Sequence, residues 1–361
     1  MGLEYDLFIS NLFSKADKNF VPLSGSFELT SRCPLSCRMC YIHREENDCE
    51  AIQREKSTDW WLTLAEQAQK AGMLMLLLTG GEPLLRKDFE EIYLGAKKLG
   101  LLVSVNTNGM LIDDDKIKFF ADNPPQKLNI SLYGASEETY RELCGNGKAY
   151  EKVFSAVRKL CKAGVNVKIN FTITQYNSHD AKKIYDFAKE LGIPVQAVSY
   201  MFPPVRAGGE AERMPPEEAA RVHFECMLLD VGKEKLKKHF EAKANIRRDV
   251  DFDDSGGELI PCRAGRSTFW VTWDGKMSPC GMMTTPMFEI SSFSDAWECI
   301  KEARENIFLP PKCKTCDLRN YCDMCAAVTL AETNDFGTVP EYLCRKATEY
   351  KRISDKFLNG S

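Results

Sequence analysis

Phe27-Glu-Leu-Thr-Ser-Arg-Cys33-Pro-Leu-Ser-Cys37-Arg-Met-Cys40-Tyr41 is the stretch on which the reading of this chain turns. Its first half reads as a short strand that ends at the first cysteine, and Pro34 and Ser36 then make a loop. The spacing Cys33-x3-Cys37-x2-Cys40 keeps three sulfurs on that one loop. Three thiolates suit three irons of a 4Fe–4S cluster and leave the fourth iron open to a small ligand. A closed four-cysteine site favours electron transfer or structure; an open iron favours chemistry. The competing reading is coincidence in a chain with 15 cysteines, so the flanking segments decide.

Those segments alternate strand and helix. Strands are expected at Ser24–Thr30, Met73–Thr79, Leu101–Asn106, Lys127–Tyr133, Val165–Thr174 and Val195–Tyr200. Helices are expected at Trp60–Ala71 (N-cap Thr58 or Asp59), Phe89–Leu99, Asp113–Ala121, Glu137–Leu143, Tyr150–Ala163 and Ala181–Leu191, several closed by a glycine. Six β/α repeats in order call for parallel strands with helical crossovers. The implied class is α/β, a partial TIM-like barrel whose ligands gather at the C-terminal strand ends. Thr79-Gly-Gly-Glu-Pro83 follows the second strand, where glycines permit close backbone approach and a carboxylate with exposed carbonyls suits an ammonium group. Asn106-Thr-Asn-Gly109 and Ser131-Leu-Tyr-Gly134 follow the third and fourth. Each of these has a plain reading as a strand-ending turn.

Taken together, the CxxxCxxC loop and the following GGEP resemble the radical SAM family, with Met39 where that motif is usually aromatic. The resemblance implies an open (βα)6 barrel, a 4Fe–4S cluster on Cys33, Cys37 and Cys40, and S-adenosylmethionine held by Gly80, Gly81, Glu82 and Pro83. It further implies Asn108 and Ser131 as cofactor contacts. Tyr133 stands where the family commonly has Asp. The basic residue expected before Gly145 is replaced by Cys144; Arg141 is the substitute one helical turn away, and a solvated arginine is its plainer reading.

Seven further cysteines crowd the C-terminal quarter: Cys262, Cys280, Cys313, Cys316, Cys322, Cys325 and Cys344. Two CxxC pairs five residues apart are a metal signal, with a four-cysteine zinc ribbon as the competing reading. Zinc leaves three of the seven unexplained. Phe269–Met277 reads as a hairpin turning at Asp274-Gly275 and delivering Cys280. The order of cysteines is similar to the SPASM extension of radical SAM enzymes. That resemblance implies two auxiliary clusters, one on Cys313, Cys316, Cys322 and Cys344, the other on Cys262, Cys280 and Cys325. Two departures stand out: the last spacing is x2 where the family has x3, and Asp251–Pro261 offers no fourth cysteine. The fourth site of the second set is therefore open, or filled by a water, backbone or side-chain ligand. The remaining Cys49, Cys144, Cys161, Cys226 and Cys299 default to buried, inert thiols.

The implied organisation is an N-terminal extension (1–23), a core barrel (24–200), a bridge (201–261), a SPASM region (262–348) and a C-terminal tail (349–361). In the bridge, Pro216 starts a helix running to about Ala244, Asp251-Phe-Asp-Asp-Ser-Gly-Gly257 is acidic and loop-like, and Tyr200, Arg206 and Arg213 are candidates to face substrate.

With 361 residues, 44% hydrophobic and 28% charged, the composition is that of a globular protein large enough for two domains. A net charge of −4 gives no nucleic-acid footprint. The longest apolar run, Met73–Leu78, is too short for a bilayer. The first residues lack a signal-peptide pattern, and Asp6 argues against myristoylation. An odd cysteine count without an export signal favours metal over disulfides and a cytoplasmic location.

The resemblance implies an oxidoreductase that generates a 5′-deoxyadenosyl radical and modifies a peptide, by thioether or carbon–carbon crosslinking or a related oxidation. Formylglycine formation of the sulfatase-maturing type is the nearest alternative, weakened because Gly281 stands where those enzymes carry an Asp base. A small-molecule radical enzyme is the other, and an iron–sulfur carrier or zinc scaffold the non-enzymatic one. Expected partners are a peptide or protein substrate and a one-electron donor such as flavodoxin or ferredoxin. The 23 residues before the first strand are too few for a winged helix, which leaves a separate leader-binding protein or recognition by the catalytic domains themselves.

Overall fold

The computed structural model describes residues 2–207, 212–245, 258–259 and 262–360. The acidic segment 251–257 lies outside them. Six parallel strands run in chain order, β1 (Ser24–Glu28), β2 (Met75–Thr79), β3 (Leu102–Thr107), β4 (Lys127–Ser131), β5 (Val167–Thr172) and β6 (Val195–Val198). Their side chains alternate between two faces. On β5, Val167, Ile169 and Phe171 are buried, while Lys168, Asn170 and Thr172 are half-buried on the opposite, concave wall. The crossovers explain the buried face: strands covered by helices bury a continuous apolar surface.

After the N-terminal helix α1 (Gly2–Asn19), the crossover helices are α2 (Thr58–Lys70), α3 (Phe89–Lys98), α4 (Asp114–Asp122), α5 (Glu137–Cys144), α6 (Ala149–Lys162) and α7 (Ala181–Leu191). Their caps are local chemistry. Ser57, rather than Thr58 or Asp59, caps α2 by accepting from Trp60 N, and Asp113 caps α4 by accepting from Lys116 N. Gly192 ends α7 with φ 67, a left-handed conformation that costs other residues energy. Aromatic pairs stitch the layers: Phe27 lies 5.1 Å from Trp61, and Phe154 lies 4.5 Å from Phe187.

The sheet does not end with the barrel strands. β7 (Thr268–Val271) joins β1 on its free edge, parallel, with Ser24 opposite Thr268 and Phe27 opposite Val271. The hairpin expected at Asp274-Gly275 then returns as β8 (Lys276–Ser278), followed by β9 (Phe288–Glu289). The nine-stranded order is β9-β8-β7-β1-β2-β3-β4-β5-β6. The C-terminal region is thus welded to the barrel through its first strand.

Two boundaries differ from expectation. The helix expected from Pro216 to about Ala244 is two, α8 (Pro216–Val231) and α9 (Lys233–Asn245), broken where Gly232 takes φ 78. After α10 (Phe293–Arg304) and α11 (Ala326–Thr333), the last helix, α12, runs Glu341–Leu358 across the expected start of a tail at 349. It continues because Leu343, Ala347 and Tyr350 keep a buried stripe at helical spacing. That stripe packs against α8, where Arg345 forks onto Glu217 at 2.8 and 3.1 Å and Tyr342 Oη donates to Met214 O.

Candidate active site

The three cysteines of the opening motif come together above β1. Arg32–Cys33 pairs in parallel with Arg44–Glu45, which closes the intervening residues into one loop. Within it Cys40 N donates to Cys37 O at 3.0 Å. The loop is fastened at its far side as well: Ser36 N donates to Cys144 O and Arg38 N to Leu143 O, at 3.1 and 2.9 Å. Cys33 is buried, whereas Cys37 and Cys40 are half-buried.

These thiols lie in a place that disfavours thiolate without a cation. Burial pushes Cys33 well above the usual thiol range, helped by the Glu82 carboxylate, and raises Cys40 to about 11. Iron inverts this balance, since a coordinating thiol is deprotonated outright. Three clustered sulfurs without a fourth ligand from the loop fit a 4Fe–4S cluster with one open iron. Among the described residues no three His, Cys, Asp or Glu side chains close round one point as a single ion requires; in a cluster each sulfur holds a different iron.

The Gly80–Pro83 loop leans on this motif. Gly81 N donates to Thr30 O at 2.7 Å and Glu82 N to Arg32 O at 2.9 Å. A Cβ on Gly81 would sit 2.4 Å from Arg32 O, and one on Gly80 would sit 2.3 Å from Thr30 O. The glycines therefore first serve the contact between two backbones, beside the close cofactor approach and the strand-ending turn expected of them. Glu82 is fully buried, and its carboxylate accepts from Leu84 N, Thr107 Oγ1 and Asn108 N at 2.8–3.0 Å. Burial raises its pKa to about 7 against these bonds. It ties the ends of β2 and β3 together, while Pro83 opens the short turn Pro83–Leu85 behind it.

Asn108 reaches the cluster loop: its Nδ2 lies 3.4 Å from Cys33 Sγ while its Oδ1 accepts from Met110 N. Ser131 stands half-buried at the end of β4, opposite Asn170 of β5. The wall around it holds groups that the sequence reading passed over. Asn129 Nδ2 donates to Asn106 Oδ1 at 2.8 Å, while the Oδ1 atoms of Asn129 and Asn170 are buried without a partner. Polar residues at alternate positions of interior parallel strands were the signal available for them. Arg141 is exposed and pairs with Glu137 at 3.6 Å, its plainer reading.

Of the three bridge residues expected to face substrate, Arg206 forks onto Glu28 at 2.8 Å twice and reaches Gly281 O at 3.0 Å. Trp270 Nε1 adds a bond to Glu28 at 3.0 Å, and Tyr41 lies under the guanidinium at 5.6 Å. Arg213 and Tyr200 both engage Glu332, with Arg213 over the Tyr342 ring at 4.1 Å.

The C-terminal cysteines fall into two groups. Cys313, Cys316, Cys322 and Cys344 line a single cavity of about 60 Å³ with Leu309, Leu318 and Met324. Burial pushes Cys322 to about 12, with the other three thiols nearby. Cys280 follows the hairpin, accepts from Met282 N at 3.5 Å, and is raised to about 11 by burial, with the Cys325 and Cys262 thiols nearby. Of the five cysteines expected to be inert, Cys226 is buried and Cys161 and Cys299 are half-buried. Cys49 is exposed, and Cys144 is buried against Cys37.

Residues 27–188 match the radical SAM superfamily. The chain therefore carries a radical SAM domain on its barrel, and it is an enzyme using a 4Fe–4S cluster and S-adenosylmethionine. It is 28% identical over 328 residues to an AdoMet-dependent heme synthase of Methanosarcina barkeri, covering 86% of this chain and 93% of that one. It is 34% identical over 169 residues to a probable GTP 3′,8-cyclase of Saccharolobus solfataricus, covering 46% and 52%. In fold it is similar to anSMEcpe with bound AdoMet (TM-score 0.68, 18% identity, 94% of this chain and 98% of that one). It is also similar to Streptococcus suis SuiB bound to precursor peptide SuiA (TM-score 0.67, 17% identity, 94% and 80%). No helix among the described residues is long and apolar enough to cross a membrane.

Proposed function

We propose that this enzyme carries two auxiliary iron–sulfur sites in a SPASM-type C-terminal region and uses its radical chemistry to modify a peptide. The observation that supports the auxiliary sites is the cavity enclosed by Cys313, Cys316, Cys322 and Cys344. Cys262, Cys280 and Cys325 form the second set, three sulfurs with one position left to another ligand. The peptide reading is supported by the likeness in fold to SuiB, which was solved with its precursor peptide.

Cys33, Cys37 and Cys40 hold the catalytic cluster, which with S-adenosylmethionine supplies a one-electron reductive cleavage yielding a 5′-deoxyadenosyl radical. The carbonyls of the Gly80–Pro83 loop take the amino group of S-adenosylmethionine, and Glu82 keeps that loop in place from behind. Asn108 and Ser131 contact the cofactor from the ends of β3 and β4. The buried Glu28–Arg206 pair, with Tyr41 and Trp270, fills the space between the cluster loop and Cys280 and keeps water out. A flavodoxin or ferredoxin donates the electron, and a separate protein or the catalytic domains bind a peptide leader.

A second reading, a small-molecule substrate on the route to heme, is favoured by the 28% identity that spans 93% of the heme synthase. Anaerobic turnover with S-adenosylmethionine and reductant separates the two. Loss of two hydrogens from a short peptide encoded beside the gene, read by mass, establishes the peptide reading. Release of 5′-deoxyadenosine with a heme precursor and an unchanged peptide overturns it.

A further inference from the structure

Asn108 directly follows β3, and its hydrogen bonds fix where it sits. Its backbone N–H donates to Glu82 Oε2 at 2.8 Å, its Oδ1 accepts from Met110 N at 2.8 Å, and its Nδ2 donates to Cys33 Sγ at 3.4 Å. The bond to Met110 N is an Asx turn, in which a side chain holds the backbone two residues on. Gly109 makes the turn possible by taking φ 76. The same bond settles which end of the amide faces the sulfur. Turned over, the NH2 group would meet a backbone N–H, donor against donor, so the amide N–H must point at Cys33. Asn108 is 3% exposed and Cys33 8%, so water is a poor substitute for that donor.

A cluster gains an electron on reduction, and part of the added negative charge falls on the cysteine sulfurs. A donor aimed at one of them stabilises the reduced form more than the oxidised form, and the reduction potential rises. Asn108 directs one N–H at the Glu82 carboxylate and another at a sulfur of the opening motif. The cofactor loop and the cysteine loop are thus held by one residue.

We propose that Asn108 is a positioning residue that donates a hydrogen bond to the Cys33 sulfur and thereby raises the reduction potential of the cluster that activates S-adenosylmethionine. The proposal rests on the reading that Cys33, Cys37 and Cys40 hold that cluster. In this role Asn108 acts through Cys33, and the second N–H of its amide remains for the cofactor contact described above.

The test is a potentiometric titration of the reconstituted full-length enzyme without S-adenosylmethionine, followed by electron paramagnetic resonance, with iron measured in parallel. The catalytic cluster is the reduced signal that changes when S-adenosylmethionine is added afterwards. Asn108→Leu keeps much of the volume and removes the donor. Asn108→Asp keeps an acceptor for Met110 N but offers Cys33 a carboxylate oxygen. Asn108→Leu should move the midpoint to more negative potential. The ratio of reduced to oxidised cluster at a fixed poise then falls by about tenfold, which is about 59 mV for one electron. Asn108→Asp should move it at least as far. An unchanged midpoint in Asn108→Leu at full iron content overturns the proposal, whatever Asn108→Asp does. So does a wild-type midpoint in Asn108→Asp beside a shifted one in Asn108→Leu, because the bond to Met110 N would then carry the effect. If Asn108→Leu does not hold the cluster, wild-type enzyme carrying nitrogen-15 in its asparagine side-chain amides decides. Pulsed resonance should show a nitrogen-15 coupling on the same reduced signal, and its absence overturns the proposal. The underlying reading fails separately. If Cys33→Ala still shows a reducible cluster whose signal changes on adding S-adenosylmethionine, the ligand assignment is wrong.

Discussion

Arg206 and Glu28 form a two-pronged ion pair, both bonds at 2.8 Å, with Glu28 wholly removed from solvent. The pair joins the bridge to the end of β1. Removing one member leaves a buried charge without compensation, which costs about 3–5 kcal/mol. Arg206→Met should therefore destabilise the protein by about that amount, and Arg206→Met with Glu28→Met by much less. Chemical denaturation of the four members of the cycle measures the coupling; additive losses would show that the two side chains act independently.

Gly81 predicts a local failure. The methyl group of Gly81→Ala would fall 2.4 Å from Arg32 O and 2.6 Å from Ser31 O, both backbone atoms. The cluster loop must move to admit it. The expected result is loss of the cluster signal that responds to S-adenosylmethionine, while iron held by the C-terminal cysteines is retained.

The two C-terminal groups should empty one at a time. Cys344→Ala lowers iron by about four per chain without affecting the Cys280 group, and Cys280→Ala does the converse. Iron analysis combined with Mössbauer spectra of each variant checks the assignment. A single zinc per chain in anaerobically purified protein would contradict it.

His223 makes the C-terminal region acid-sensitive. Burial, with Lys346 and Lys243 nearby, lowers its pKa to about 4. Above pH 6.5 it is neutral whether folded or unfolded and costs nothing. As pH falls from about 6.5 to 4 the unfolded chain takes up a proton that the folded chain refuses, so stability declines by about 3 kcal/mol. In His223→Phe that part of the acid slope should vanish in thermal denaturation between pH 4 and 7.

The six barrel strands were readable in the sequence because short runs, either apolar like Met75–Thr79 or alternating like Val167–Thr172, are separated by helices with their own cap or terminal glycine. Cys313, Cys316, Cys322 and Cys344 were readable as a group because their resemblance to a known order fixed a pairing that local spacing leaves open. The partner of Cys37 was not. Cys144 lies more than a hundred residues away and becomes its neighbour only through hydrogen bonds between a loop and a helix end. Glu82 was recognised by its motif, yet its inward turn depends on Thr107 and Asn108 from another strand. The run of α12 past residue 348 was missed because its buried stripe faces α8, a tertiary partner that periodicity alone does not name.

The parallel pairing of β1 with β7 also sets a timetable for synthesis. Residues 24–28 leave the ribosome early, and the strand that seals their edge arrives only with residues 268–271. At about 5–20 residues per second, some ten to fifty seconds separate the two. Throughout that interval one flank of the nascent sheet has unpaired amides and carbonyls beside the strand that leads into the cysteine loop. Such an edge is a template for wrong pairing. The late-made quarter of the chain thus acts on the early-made part as an internal clasp, and truncation before residue 268 would leave the barrel prone to associate through that open flank.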